Sequence, residues 1–167
     1  MEKRRRQNRG EDGGRERSEY DQKVVEVKRV TRVTGGGKRM RFRALVVIGD
    51  RKGKVGMGLK KGGDVAESVN KAVNAAKKNM VTLPLINETI PHEVSIKYSS
   101  SSLFLRPAKP GSGVIAGGAV RQVFELAGVK NVVCKMLGSN NKVNNVKAVF
   151  AAFKSMKSKA QVAALRK

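Results

Sequence analysis

Residues 24–33, VVEVKRVTRV, alternate apolar and polar side chains loosely, and residues 39–48, RMRFRALVVI, alternate strictly at first, as far as Ala44. In the second run Arg39, Arg41 and Arg43 fall on one side, and Met40, Phe42 and Ala44 on the other. A period of two predicts strands, the second with a core side and a charged side. In the first, Val25 and Val27 fall on a shared face. The intervening TGGGK predicts a three-glycine turn, GDRKGK a further turn, and KVGMGLK a third strand thinned by glycine. The period then changes. DVAESVNKAVNAAKKNM carries Val65, Val69, Ala72, Val73, Ala76 and Met80 as one stripe and predicts a helix. Asp64 and Glu67 have capping-box spacing, and Lys77 and Lys78 sit where the helix dipole favours cations. Residues 20–83 therefore read as three antiparallel strands with one helix packed across them.

Pro84 and Pro91, in LPLINETIPHEV, mark a boundary to a second unit over residues 84–158. EVSIKYSS and SLFLRPAK read as strands. Pro107, Pro110, Gly111 and Gly113 form a turn into a helix, VIAGGAVRQVFELAG, that stops at Gly128. NVVCKML is a short apolar strand, residues 138–141 a turn, and KVNNVKAVFAAFKSM a helix with Val146, Val149, Phe150, Phe153 and Met156 inward. The order β-β-α-β-α predicts a two-layer α/β unit, and an α+β class for the whole. Residues 1–19, polar and rich in Arg and Gly, are expected to be a disordered extension. Residues 159–167 are expected to be a basic tail.

Charge adds a direction to this plan. Across 167 residues there are 36 Lys and Arg against 13 Asp and Glu, a net charge of +23. Residues 27–61 hold Lys28, Arg29, Arg32, Lys38, Arg39, Arg41, Arg43, Arg51, Lys52, Lys54, Lys60 and Lys61 against one acid, Asp50. From Leu126 onward no acid occurs. Acid-free tracts of this length predict two basic surfaces for a polyanion, most readily nucleic acid. Aromatic residues are 4% of the chain and Trp is absent. That is too few for a base-stacking platform, so recognition by backbone and shape is expected.

Enzyme readings fit poorly. GDRKGKVGMGLKKGGD, residues 49–64, has three residues between Gly49 and Gly53 where a P-loop needs four, and Val55 follows Lys54. Gly111, Gly113 and Ala116 match a dinucleotide-binding turn, but the acid needed about twenty residues on is missing. His92 is the only histidine and Cys134 the only cysteine, which rules against an ordinary structural zinc site. No cofactor, no metal and no catalytic residue are expected. One cysteine suits a reducing cytosol, and the start has no apolar core of a secretion signal.

The segments 27–65 and 104–148 closely resemble the bacterial-type family of the fifth protein of the small ribosomal subunit. Their specific parts are the GD-x-x-G-x-VG-x-G turn-strand, the GSGVIAGG-x-x-R helix start and the GS-x-N turn. The resemblance implies a first domain like a double-stranded-RNA-binding fold and a second α/β domain with a left-handed crossover. It implies small-subunit rRNA as ligand, a place near the decoding region and the mouth where messenger RNA enters, and a role in translational accuracy. The loop from Thr31 to Arg39 would reach rRNA near the spectinomycin site, with the glycine pair kept as Gly36 and Gly37 and Gly35 where a lysine is often found. Ser139, Asn140, Asn141 and Lys142 of the GS-x-N turn join this RNA-facing set. Gly113 and Arg121 match positions that contact the fourth small-subunit protein, and the eighth is a further expected neighbour. The rival reading is a free RNA-binding or ribosome-maturation factor.

Overall fold

Gly35 and Gly36 form a two-residue turn between β1 (Asp21–Thr34) and β2 (Gly37–Gly49), and Thr34 Oγ1 donates to Gly37 O at 3.1 Å. The backbone conformation closed to most side chains falls on Gly37, with φ of 149°, and not on Gly35 or Gly36. The computed structural model describes residues 19–166, so all of the expected extension except Glu19 lies outside the described residues. The hairpin continues into β3 (Lys54–Gly62), α1 (Val65–Lys78) and β4 (Met80–Thr82). The second unit runs β5 (Val94–Tyr98), β6 (Ser101–Pro107), β7 (Val114–Ile115), α2 (Gly118–Ala127), β8 (Val132–Met136), α3 (Lys142–Ser155) and α4 (Lys159–Ala164). The first sheet has the order β1-β2-β3-β4 and is antiparallel; the second has the order β5-β6-β8-β7, with β7 and β8 parallel. The class is α+β.

Several expectations need correction. The first sheet has four strands rather than three, because Met80–Thr82 pairs with residues 54–56 of β3. Met80 therefore opens a strand, and α1 ends two residues earlier. Asp64 is the N-cap residue of α1 but its side chain makes no cap hydrogen bond. Instead, Glu67 reaches past it to accept from the backbone N–H of Gly63 at 2.6 Å. Val25 and Val27 do not share a face: the register slips between Val24 and Glu26, leaving Val25 as the extra residue of a bulge. In the second unit the helix starts at Gly118, not at Val114, because Val114 and Ile115 pair with Val132 and Val133. The expected tail holds α4, closed by a capping box between Ser158 and Gln161.

Glycine sets how closely the layers meet. α1 crosses β3 over Gly56 and Gly58; a Cβ on Gly58 would lie 1.9 Å from Ala72 O, and one on Gly56 2.4 Å from Ala76 O. On that side Ala44, Val46 and Ile48 of β2 pack with Ala72 and Ala76. On the other side Leu45, Val47 and Val55 join the core of the second unit, with Val120, Phe124, Val149 and Phe153. The second half of β2 is thus buried on both faces, while its first half projects beyond both layers.

Ser101 and Asn145 are buried polar residues, and Ser101 Oγ donates to Asn145 Oδ1 at 2.7 Å. Replacing Asn145 with Ala leaves the hydroxyl without its acceptor, at a cost of about 2 kcal/mol. Thermal unfolding of the RNA-free protein checks this, and adding Ser101→Ala should recover part of the loss.

Candidate nucleic-acid interface

Register decides which cations act together. On β1, β2 and β3, Lys28, Arg43 and Lys61 lie directly across from one another, and Arg32 lies opposite Arg39. With Arg41 between them these side chains occupy one face, the one turned away from α1. Directly opposed residues have Cβ atoms about 4.5–5.5 Å apart, and like charges so placed are destabilising. Among the described residues no carboxylate pairs with Arg32, Arg39, Arg41, Arg43 or Lys61. A groove of about 240 Å³ runs here, lined by Val30, Thr31, Arg32, Arg39, Arg41 and Lys61. The glycines of the turn face open space: nothing lies within 4 Å of a Cβ built on Gly35, Gly36 or Gly37.

Other candidate residues sit elsewhere. Arg29 pairs across with Phe42, Lys38 with Val33 and Lys60 with Ala44, which puts all three on the α1 side of the sheet. Lys60 there meets Lys71 and Lys78 of α1 around a hollow of about 290 Å³. Lys71 escaped the sequence reading, and Lys78 was read only as a cation for the helix dipole, because a charged face on an amphipathic helix is ordinarily just solvated. Lys28 was visible as part of the basic tract, but its partnership with Arg43 depends on a register that the bulge at Val25 shifts.

Arg51, Lys52 and Lys54 lie at the far end of β2, about 40 Å of strand from the Gly35–Gly36 turn. Their turn does not offer its backbone to phosphate. Arg51 N–H donates to Leu126 O at 3.0 Å and Gly53 N–H to Ala127 O at 2.9 Å, so the turn supplies partners for the last carbonyls of α2. Asp50 Oδ1 accepts from the backbone N–H groups of Lys52 and Lys54, at 2.7 and 2.9 Å. The Arg51 side chain pairs with Asp21 at 2.6 Å. In residues 49–64 the basic side chains that stay exposed without a carboxylate partner among the described residues are those of Lys52, Lys54, Lys60 and Lys61, while Gly49, Gly53, Gly56, Gly58 and Gly62 pack closely against neighbouring backbone.

The second unit contributes one cluster to the arginine face. Glu26, with its side chain 11% exposed, lies 3.4 Å from Lys28 Nζ and 3.8 Å from Lys142 Nζ. This carboxylate ties the start of α3 to the edge of the basic face. Asn141 is the N-cap of α3, its Oδ1 accepting from Val143 N–H at 3.1 Å, and Ser139 Oγ accepts from Asn141 N–H. Asn140 stays exposed. Gly113 has a left-handed backbone and donates its N–H to Asn131 Oδ1 at 3.2 Å. Because β7 separates Gly113 from α2, the strand–glycine loop–helix order of a dinucleotide site is absent here. Arg121 pairs with Glu125 on the exposed side of α2, and Arg121, followed by Lys23, holds that carboxyl below the usual carboxylate range.

An antiparallel sheet crossed by one helix, carrying an unneutralised arginine face and joined to an α/β unit, defines a structural RNA-binding protein rather than an enzyme of the nucleotide-loop type. The family model for ribosomal protein S5, N-terminal domain, matches residues 20–84, and that for ribosomal protein S5, C-terminal domain, matches residues 96–166. The chain belongs to the ribosomal protein S5 family, a structural, non-enzymatic family of the small ribosomal subunit that binds its rRNA and other ribosomal proteins. The C-terminal match extends through α4.

Proposed function

We propose that this chain fixes small-subunit rRNA near the decoding region and the mouth where messenger RNA enters, and thereby supports translational accuracy in the cytoplasm. The observation that carries this reading is the cross-strand rows Lys28–Arg43–Lys61 and Arg32–Arg39. Such rows raise the free energy of the isolated protein and are relieved when phosphates occupy the groove beside them. Arg41 and Thr31 extend the contact toward the Gly35–Gly36 tip, and Lys38 adds a cation there from the α1 side. Lys142 and Asn140 continue it from the second unit, while Arg29 and Lys60 meet RNA from the α1 side. Lys52 and Lys54 contact a separate RNA segment at the other end of the sheet, beside Arg51, whose side chain is held by Asp21. Gly113 and Arg121 face the fourth small-subunit protein, and the eighth is a further neighbour.

A tethered cleavage reagent tests the placement. Gly35 stands in open space without a left-handed backbone, so Gly35→Cys is tolerated. Burial pushes the native Cys134 thiol up to about 11, so at pH 8 it stays protonated and slow to alkylate. An iron chelate coupled to residue 35 and incorporated into small subunits should cut rRNA in the decoding region. Cuts confined to other parts of the rRNA contradict the placement.

A further inference from the structure

We propose that a groove between the two units holds one unpaired RNA nucleotide, with its base against Tyr98 and its phosphate on Lys147 and Lys154. This rests on the RNA-binding reading above and adds a second, chemically different contact to it. The groove has a volume of about 320 Å³, within the roughly 300–1,000 Å³ of small-molecule sites. Its floor is apolar and comes from both units: Met57 of β3, Val81 of β4 and Phe150 of α3. Tyr98, at the end of β5, is 37% exposed, and Lys147 Nζ stands 5.8 Å from its ring centroid. Tyr20, by contrast, packs against the core beneath α1.

Lys147, Phe150, Ala151 and Lys154 lie at i, i+3, i+4 and i+7 of α3, so they form one stripe along the groove. The two lysines are about 10 Å apart along the helix. No carboxylate lines the groove. A recessed apolar floor, one exposed ring and two cations without an acid match what a splayed nucleotide brings: a planar face and a phosphate in one unit. The scarcity of aromatic residues excludes a stacking platform, but a site for a single base needs only one ring.

The test uses the full chain with a short single-stranded RNA carrying 4-thiouridine and with a blunt duplex of equal phosphate count. Near-ultraviolet irradiation of the single-stranded complex should give an adduct on the tryptic peptide that carries Tyr98. Tyr98→Leu, which keeps an apolar side chain, should weaken single-strand binding about tenfold and leave duplex binding within about twofold. Lys154→Gln should act in the same direction on a protein with an untouched ring. RNA bound with adducts only on the β1–β3 peptides, or equal weakening for both RNAs, overturns the nucleotide site while leaving the arginine face intact. Failure of both RNAs to bind at all counts against the RNA-binding reading itself. In intact small subunits carrying p-benzoylphenylalanine at position 98, an adduct to a protein instead of rRNA would also overturn it.

Discussion

Gly128→Ala lowers the stability of the RNA-free protein by about 3 kcal/mol, combining strain and overlap. Gly128 closes α2 with φ of 79°, in the left-handed region where a Cβ alone costs about 1–2 kcal/mol. The added Cβ would also lie 2.0 Å from Arg51 O and 2.5 Å from Arg51 C. Both are backbone atoms of a turn pinned by Arg51 N–H to Leu126 O and Gly53 N–H to Ala127 O, so neither side can give way cheaply. Overpacking of this kind costs about 1–3 kcal/mol. Calorimetry should show the transition falling by about 10 °C for a chain of this size. Because the displaced turn joins the two units, the loss should also broaden unfolding. A variant that melts with the parent would mean that the turn does not hold α2.

The second large effect separates stability from binding. Replacing Arg39, Arg41 and Arg43 with Ala removes three cations from the face where Arg39 opposes Arg32 and Arg43 stands between Lys28 and Lys61. The free protein should be no less stable, since the rows being broken are repulsive. Affinity for small-subunit rRNA should fall roughly a hundredfold at moderate salt, with the log–log salt slope flattened by about 2–3. Titrations at several salt concentrations, beside a melting curve, measure both. If affinity holds, rRNA lies on the α1 side of the sheet. If affinity and stability fall together, the arginines serve the fold.

What the sequence made legible follows the strength of each local signal. Alternation in residues 39–44 located β2 and separated Arg39, Arg41 and Arg43 from Met40, Phe42 and Ala44, as the pairing with β1 confirms. The stripe on α1 and the inward set on α3 were visible because they repeat over 14 residues each. β4 and β7, of three and two residues, are too short to carry a period; each exists only because a neighbouring strand offers it a ladder. α4 did leave a mark, Ser158 three residues before Gln161, that a search for capping boxes would have caught.

The functional surfaces were legible only as a sum. Basic tracts told how much cation there was, while register told which face it occupied. The bulge at Val25 sets that register for β1, and nothing local announces it. The glycines of residues 49–64 suited phosphate approach and internal packing equally well. Carbonyls of α2, some 75 residues further along the chain, settle the use of Gly53 and the Arg51 backbone. Tyr98 and Lys147 also meet only through the fold, from well-separated stretches of sequence.

The measurement that bears most directly on the central claim is sedimentation of the tagged chain with ribosomes from its own cells, before and after a high-salt wash. Retention at one copy per small subunit is the predicted result, since contacts over two units and several RNA segments release together only with difficulty. Loss in the wash, or a peak only with immature particles, would contradict it and point to a factor that visits rRNA and leaves.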